Sequence, residues 1–190
     1  ERYDPAINQW ETLNPMPEAR SYFGGAVLDN KLYAIGGAAG VIGVQVFDLD
    51  AGQWSTGPSL PNAMISGTAI TVAGKIFMIG GKNLQDQSID QVLELDTVGN
   101  QWIPKASMPT SRHALKLVWF ENRIWAIGGR TPTEVLVVES YDPHTNTWRT
   151  EPSLSTPRGW ASAWVANNKI YVAGGVNNGN HLDSIEIFEP

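Results

Sequence analysis

The stretch that decides the fold is LYAIGG at residues 32–37. Three later stretches read almost alike: IFMIGG at 76–81, IWAIGG at 124–129 and IYVAGG at 170–175. Their glycine pairs are spaced by 44, 48 and 46 residues. Short apolar runs that are rich in Ile, Tyr and Trp and end at glycine are typical of buried β-strands. The sequence therefore predicts four copies of one strand-containing repeat.

A tryptophan stands 26 residues before the first glycine of each pair. The variation in repeat length therefore lies between a glycine pair and the next tryptophan, where loops are expected. The constant part is expected to form the packed framework. The residues predicted to be structural on this basis are Trp10, Trp54, Trp102, Trp148, Gly36, Gly37, Gly80, Gly81, Gly128, Gly129, Gly174 and Gly175.

Each copy has a second apolar stretch before a short polar turn, which predicts a β-hairpin. A third strand is expected after the variable loop, and the tryptophan opens a fourth. No part of the chain shows the period of an amphipathic helix. The first strands of the four hairpins read GGAVL, TAITV, KLVWF and SAWVA. The sequence therefore predicts an all-β fold with four strands in every repeat.

An aspartate stands six residues before every repeat tryptophan, and Asn or Gly stands two residues before it. A carboxylate can accept hydrogen bonds from the backbone N–H groups of a turn, and Asn and Gly tolerate the positive φ of a chain reversal. We interpret these aspartates as turn residues rather than catalytic groups. They are Asp4, Asp48, Asp96 and Asp142.

The glycine doublet, the Tyr-Asp-Pro turn at 3–5 and 141–143 and the tryptophan that follows resemble the kelch repeat of β-propeller proteins. The resemblance covers essentially the whole chain. It implies a four-bladed propeller whose blades are four-stranded antiparallel sheets, ordered from the central channel outward. We therefore predict a single domain over residues 1–190. Its repeats are expected at about 10–53, 54–101, 102–147 and 148–190 plus 1–9.

The two ends of the chain read alike, as ERYDP at 1–5 and EIFEP at 186–190. This register predicts that N- and C-terminal strands share one blade and close a four-bladed ring, with QWETL at 9–13 as the outer strand of that blade. Part of a larger ring, for example a six-bladed one, would show the same register and stays open as the alternative. A monomer is expected, and an oligomer is compatible with the sequence.

The resemblance implies that ligands bind at the channel mouth, on the segments that enter strand one and the loops that leave strand two. Ten residues after the repeat tryptophan, three entering segments carry Arg20, Arg112 and Arg158, and the fourth has Met64. The arginine fork binds carboxylates bidentately, and arginines at this place often contact peptides in kelch domains. A framework role, in which each arginine bonds neighbouring backbone, stays open.

Aromatic and polar residues beside these arginines complete the predicted ligand face. Because basic residues of an acidic chain gather there, the expected partner is a protein or peptide segment, or a polar or anionic small ligand. The candidate ligand-binding residues are Arg20, Tyr22, Lys82, Asn83, Arg112, His113, Arg130, Glu134, Arg158, Trp160, Asn177 and His181.

Charge and composition exclude several classes of function. The net charge of −6 argues against a nucleic-acid or anionic-membrane surface, and no 18-residue apolar run exists to span a bilayer. With no Cys, disulfides, thiolate metal sites and the cysteine–tyrosine group of kelch-like copper oxidases are excluded. The three histidines lie on different repeats, so neither a metal nor a cofactor is expected.

The sequence therefore predicts a non-enzymatic binding module. One alternative is a carbohydrate-active enzyme, similar to sialic-acid mutarotases, or a sugar-binding domain. Glu134 and Asp86 beside Arg112 and Arg158 would then supply the acid–base set. A second alternative is a structural subunit that joins a larger assembly through the apolar loop AAGVIGV at 38–44.

Overall fold

The computed structural model describes residues 1–189, which form β-strands joined by short turns and loops. Four antiparallel sheets follow one another along the chain and form four blades. The prediction of an all-β, four-bladed propeller is confirmed. The one helical segment among the described residues is a short 3₁₀ turn at Ala38–Gly40, in the loop after the first glycine doublet.

The strand bounds follow the repeats. A hairpin of Arg2–Asp4 (β1) and Gln9–Glu11 (β2) precedes the blades. Blade 1 contains Gly24–Leu28 (β3), Lys31–Ile35 (β4), Val44–Asp48 (β5) and Gln53–Gly57 (β6). Blade 2 contains Thr68–Val72 (β7), Lys75–Ile79 (β8), Val92–Asp96 (β9) and Gln101–Pro104 (β10). Blade 3 contains Lys116–Phe120 (β11), Arg123–Ile127 (β12), Val138–Asp142 (β13) and Thr147–Thr150 (β14). Blade 4 contains Ser162–Ala166 (β15), Lys169–Ala173 (β16) and Ile185–Phe188 (β19), with a small ribbon of Val176–Asn177 (β17) and Asn180–His181 (β18).

The four inner strands coincide with the predicted stretches GGAVL, TAITV, KLVWF and SAWVA. Each is joined to the second strand by a two-residue turn in which both residues have positive φ, as in Asp29 and Asn30 (48° and 57°). This turn geometry matches the twist of two antiparallel strands. Polar residues and glycine between two apolar runs therefore suffice to form the hairpin.

The turns between the third and fourth strands form as predicted. The Oδ1 atom of Asp48 accepts hydrogen bonds from the backbone N–H groups of Asp50 and Ala51, at 3.0 and 2.9 Å. The bond from Ala51 is the main reason why the pKa of Asp48 lies below its usual value. The residues expected at positive φ have φ between 51° and 65°: Asn8, Gly52, Asn100 and Asn146.

The core is divided into three apolar clusters, each between two consecutive blades. The first cluster includes Ile35, Val44, Ile76 and Met78. The second includes Phe77, Ile79, Leu117, Ile124 and Tyr141. The third includes Trp125, Ile127, Val138, Ile170 and Val172. Because each inner blade is covered on both faces, its middle strands read as continuous apolar runs.

The glycine doublets let neighbouring blades approach closely. The backbone N–H of Gly81 donates to the carbonyl of Arg112 in the next blade at 2.8 Å. A Cβ atom on Gly80, where φ is +66°, would lie 2.4 Å from the same oxygen. The doublet of blade 3 meets Arg158 in the same way. Only glycine fits this contact without strain, because any other residue would bring a Cβ atom against the neighbouring carbonyl.

The repeat tryptophans link each outer strand to the preceding repeat. The indole Nε1–H of Trp102 donates to the carbonyl of Pro58 at 2.8 Å, and that of Trp148 donates to Ala106 at 2.9 Å. Trp54 makes the equivalent bond to Asn14. In each case the acceptor lies four residues after the previous repeat tryptophan. Trp10 differs: it is 68% exposed and packs on Tyr3, with ring centroids 5.3 Å apart.

The prediction that both ends of the chain share one blade is wrong. β2 pairs with β1, with Trp10 opposite Tyr3, and β19 pairs with β16. Within residues 1–189, blade 4 therefore has three strands, and no strand pairing joins it to blade 1. The physical reason is that β1 offers β2 the aromatic partner of a third strand across a four-residue turn. Local pairing of this kind loses little loop entropy.

Candidate functional site

One face of the propeller gathers the segments that enter the first strands and the loops that leave the second strands. His113 and Arg130 exchange two backbone hydrogen bonds, from His113 N–H at 3.2 Å and from Arg130 N–H at 2.9 Å. Two other blades repeat this pairing, between Ile65 and Lys82 and between Gly159 and Val176. The structure thus brings both predicted groups of ligand-binding residues to the same face, which we call the loop face.

An inner row of three backbone hydrogen bonds links the four blades at the loop face. Tyr22, Ser66, Ala114 and Trp160 all have φ between 53° and 56°. The N–H of Ser66 donates to Tyr22, that of Ala114 to Ser66 and that of Trp160 to Ala114, at 2.9 to 3.1 Å. Left-handed φ is costly for such residues. The side chains of Tyr22 and Trp160 are 61% and 46% exposed. Sequence reasoning missed this strain because these four residues share no turn chemistry.

The three rim arginines lie inside the blades. The side chains of Arg20, Arg112 and Arg158 are 1%, 0% and 0% exposed. In blade 3, Nη1 of Arg112 donates to the carbonyls of Gly128 and Val137, at 2.7 and 3.0 Å. These bonds hold the loop after strand two against the start of strand three. Of the two roles left open by the sequence, the burial of these side chains and their bonds to backbone carbonyls favour the framework role.

Each rim arginine also binds a carboxylate. Nη2 of Arg112 lies 2.7 Å from Oε2 of Glu139, and Nη2 of Arg158 lies 2.7 Å from Oε1 of Glu186. Burial alone would raise the pKa of Glu186, but the hydrogen bonds from Arg158 and from the backbone hold it below its usual value. Arg20 pairs instead with Glu18, at 3.0 Å.

The loop face centres on five residues, which we call the rim cluster: Lys82, His113, Arg130, Glu134 and Trp160. The guanidinium carbon of Arg130 lies 5.0 Å from the Trp160 ring centroid, within reach of a cation–π contact. Its Nε lies 3.0 Å from Oε1 of Glu134, which is only 9% exposed. The other Glu134 oxygen accepts a hydrogen bond from the backbone N–H of Asn178 at 3.2 Å.

His113 is the buried member of the rim cluster. It is 6% exposed and meets the Trp160 ring edge-on, with centroids 6.3 Å apart. Its Nδ1 lies 2.9 Å from the hydroxyl of Ser88, which donates to the carbonyl of Arg130. Burial, together with the charges of Lys82 and Arg130, lowers the pKa of His113 to about 4. The imidazole is therefore neutral at physiological pH.

The other candidates surround the cluster. Lys82 forms an ion pair with Asp86 four residues on. The side chain of Asn83 accepts two backbone N–H bonds at 3.0 Å and so orders its own loop. Asn177 and His181 lie on the β17–β18 ribbon, opposite Asn180 and Val176 respectively.

Among residues 1–189, no three His, Cys, Asp or Glu side chains come close enough to hold a metal ion. No helix within residues 1–189 is long and apolar enough to cross a membrane.

Comparison with known proteins agrees with this architecture. Residues 26–190 match the family model described as the KLHDC2/KLHL20/DRC7 Kelch-repeats domain. The chain belongs to the kelch-repeat family. Among its relatives, Kelch-like protein 26 of Danio rerio is 31% identical over 192 residues, an alignment that covers 97% of this chain. Alpha-scruin of Limulus polyphemus is 28% identical over 192 residues, covering 93% of the chain.

The kelch chain spans only part of these relatives. The alignments cover 31% of Kelch-like protein 26 and 21% of alpha-scruin. A solved structure titled "Structure of YjhT" superposes with a TM-score of 0.78 at 19% identity, covering 88% of this chain and 63% of that one. This likeness shows that the two chains share a fold.

Proposed function

We propose that this kelch domain is a non-enzymatic binding module that holds a protein or peptide segment at its loop face, through the rim cluster and Tyr22. The observation that carries the proposal is the placement of Trp160. Its backbone has φ of 53°, its ring is half-exposed, and Arg130 and His113 fix it on two sides. Strain that keeps a large aromatic side chain at the surface points to a contact role.

The composition of the cluster supports a peptide ligand. Trp, Tyr and Arg are the residues that most often dominate the energy of protein interfaces. A rigid aromatic side chain loses little conformational entropy on binding. The neutral imidazole of His113 adds hydrogen-bonding capacity without charge.

The charges of the rim cluster favour a peptide over a free anion. Arg130 is paired with Glu134, and Lys82 is paired with Asp86. An anionic ligand would have to displace a carboxylate that is already in place. A peptide can instead stack on the aromatic rings and bond through its backbone.

The binding module is also favoured over the mutarotase-like alternative. The acid–base set of a mutarotase-like site would need the guanidinium groups of Arg112 and Arg158 free to meet substrate beside Glu134 and Asp86. Both guanidinium groups instead bind backbone carbonyls and their own glutamates inside the blades. Glu134 is engaged by Arg130, with Oε1 and Nε 3.0 Å apart, and by the backbone N–H of Asn178.

The test starts from a displayed library of random peptides selected on the wild-type chain. Trp160→Ala is expected to weaken the selected peptides at least about tenfold, as for an interface hot spot. Trp164→Ala is the matched control, because Trp164 is 43% exposed on β15 and lies outside the loop face. Wild-type affinity in Trp160→Ala would overturn the proposal. Faster interconversion of sialic acid anomers that is lost in Glu134→Gln would replace it with the enzyme.

A further inference from the structure

The loops that leave the second strands differ in chemistry between the two halves of the loop face. The loop of blade 1, AAGVIGV at 38–44, has no polar side chain, and the loop of blade 2 carries Leu84, which is 67% exposed. The tips of the loops of blades 3 and 4 read TPT at 131–133 and NNG at 177–179. The loop face therefore has exposed apolar side chains over blades 1 and 2 and polar tips over blades 3 and 4.

Leu84 is presented by a loop that is ordered from within. The side-chain Oδ1 of Asn83 accepts hydrogen bonds from the backbone N–H groups of Gln85 and Gln87, both at 3.0 Å. The N–H of Asn83 in turn donates to the carbonyl of Gln87 at 3.0 Å. A side chain held on such a preorganised loop loses little conformational freedom when a ligand packs on it.

Leu84 also packs on the loop of blade 1. A Cβ atom on Gly40, where φ is +74°, would lie 2.3 Å from Cδ2 of Leu84, so the leucine lies directly on the glycine backbone. Ala39 beside it is exposed and has φ of 56°. The N–H of Ala38 donates to the carbonyl of Ser21 at 2.8 Å, which joins this loop to the segment that enters blade 1. We call the resulting surface the apolar patch: Tyr22, Ala39, Gly40 and Leu84.

The apolar patch adjoins the rim cluster. Lys82 of that cluster exchanges two backbone hydrogen bonds with Ile65, at 2.7 and 2.9 Å, and Leu84 follows two residues later. The next residue of the entering segment, Ser66, donates its N–H to the carbonyl of Tyr22 at 3.0 Å. The patch and the rim cluster are thus joined by backbone bonds and form one continuous surface.

The polar half of this surface has donors to offer. Within residues 1–189 the ion pair of Arg130 uses Nε alone, which leaves its two Nη groups to donate to a ligand. The guanidinium lies beside Trp160, with its carbon 5.0 Å from the ring centroid. A ligand that spans the face therefore meets hydrogen-bond donors at one end and apolar side chains at the other.

We propose that the segment held at the loop face is amphipathic. A large aliphatic side chain of the segment, such as Leu, Ile or Met, packs on the apolar patch, and its hydrogen-bond acceptors meet Arg130 beside Trp160. This inference rests on the function proposed above and names the chemistry of the ligand. The rim cluster provides stacking and hydrogen bonds that many peptides share, whereas the patch selects for sequence.

A second copy of this chain is a poorer occupant of the apolar patch. A stable dimer buries about 800 Å² on each partner, which is far more than four residues expose. A single aliphatic side chain matches the patch in size. Burial of that side chain against Leu84 and Tyr22 removes apolar surface from water on both partners.

The test uses peptides selected on the wild-type chain from a displayed library of random peptides. The selected peptides are expected to share a large aliphatic residue, and its replacement by serine should weaken binding at least about tenfold. Leu84→Ser should cause a similar loss, and the two losses should not add, because both remove the same contact. Leu84→Met should keep the affinity. Val98→Ser is the matched control, since Val98 is 96% exposed in the turn between β9 and β10, at the opposite end of the same blade.

The outcomes separate this inference from the function on which it rests. Peptides that need Trp160 but bind Leu84→Ser with wild-type affinity would overturn the inference and keep the proposed function. Peptides that need Leu84 but not Trp160 would overturn the rim contact and keep the apolar patch. Failure to select any peptide would overturn both. Self-association of the wild-type chain in sedimentation, lost in Leu84→Ser, would make a second copy the occupant and would also overturn the inference.

Discussion

Arg112 and Glu139 form a buried ion pair in the middle of blade 3, with Nη2 and Oε2 2.7 Å apart. Glu139 also accepts a hydrogen bond from the Thr110 hydroxyl at 2.7 Å, so both charges have partners. In blade 2 the same two positions are held by Met64 and Leu93, both fully buried in the first apolar cluster. The molecule thus contains an ionic and an apolar version of one framework contact.

The ionic contact of blade 3 and the apolar contact of blade 2 predict the outcome of a double-mutant cycle. Arg112→Met alone or Glu139→Leu alone should lower the free energy of unfolding by about 3–5 kcal/mol, because each leaves one buried charge unpaired. The double variant copies blade 2 and should recover most of that loss. Chemical denaturation of the four proteins measures the coupling. Losses that simply add in the double variant would show that the apolar version does not fit blade 3.

A second prediction concerns the glycine doublet. Gly80→Ala places a Cβ atom 2.4 Å from the Arg112 carbonyl at a φ of +66°. The clash and the left-handed backbone together should lower the free energy of unfolding by about 3 kcal/mol. Gly74→Ala is the control, since its φ is +73° but no atom lies within 4 Å of the added Cβ. It should cost only the backbone strain, about 1 kcal/mol. Similar melting curves for both variants would rule out the close approach.

A third prediction follows from the pKa of about 4 at His113, which lies below the ordinary value of 6.5. The unfolded chain binds a proton at this histidine below pH 6.5, whereas the folded chain binds it only near pH 4. Stability should therefore fall as the pH drops from about 6.5 to about 4, by up to about 3 kcal/mol. Denaturation at several pH values measures the slope.

The controls for this pH dependence are two substitutions. His113→Gln should remove the slope between pH 6.5 and 4, whatever its effect at neutral pH. His144→Gln replaces an exposed histidine in an outer turn and should keep the slope, because His113 is intact. Carboxylates whose pKa values are lowered on folding, such as Glu186, also make the folded chain less stable toward the acidic end of this range. Subtracting the stability–pH curve of His113→Gln from that of the wild type removes this contribution. An unchanged slope in His113→Gln would contradict the burial of the imidazole.

The hairpins could be predicted to the residue because their pattern is local. A polar two-residue turn between apolar runs sets both strands and the register. The turn aspartates were predicted for the same reason, since Asp48 bonds to residues two and three positions away. Neither result depends on distant parts of the chain.

The role of the rim arginines could not be decided from one position alone. Arg20, Arg112 and Arg158 suit a ligand as well as a framework. The deciding signal lies at a second repeat position, in the third strand. The repeat with Met64 at the first position has Leu93 at the second, and the repeat with Arg112 at the first has Glu139 at the second. Comparing these two positions across the repeats would have indicated a contact within the blade.

Blade sharing failed as a prediction because the repeats are so alike. β1 and β19 both read as third strands, and either would pair with Trp10 of β2. Sequence similarity cannot choose between two equivalent partners for β2. Loop length decides in favour of β1, because only four residues separate it from β2.

The core consists of three separate apolar clusters, and each joins only two consecutive blades. The stability of each blade therefore depends on its nearest neighbours in the row. Blades 2 and 3 are each held by two clusters, whereas blades 1 and 4 are each held by one. In such an array, opening starts at the outer units, so amide hydrogens of blades 2 and 3 should exchange last. Trp160 belongs to blade 4, one of the two blades held by a single cluster. Occupation of the loop face at Trp160 would thus slow hydrogen exchange in a blade that has little support of its own.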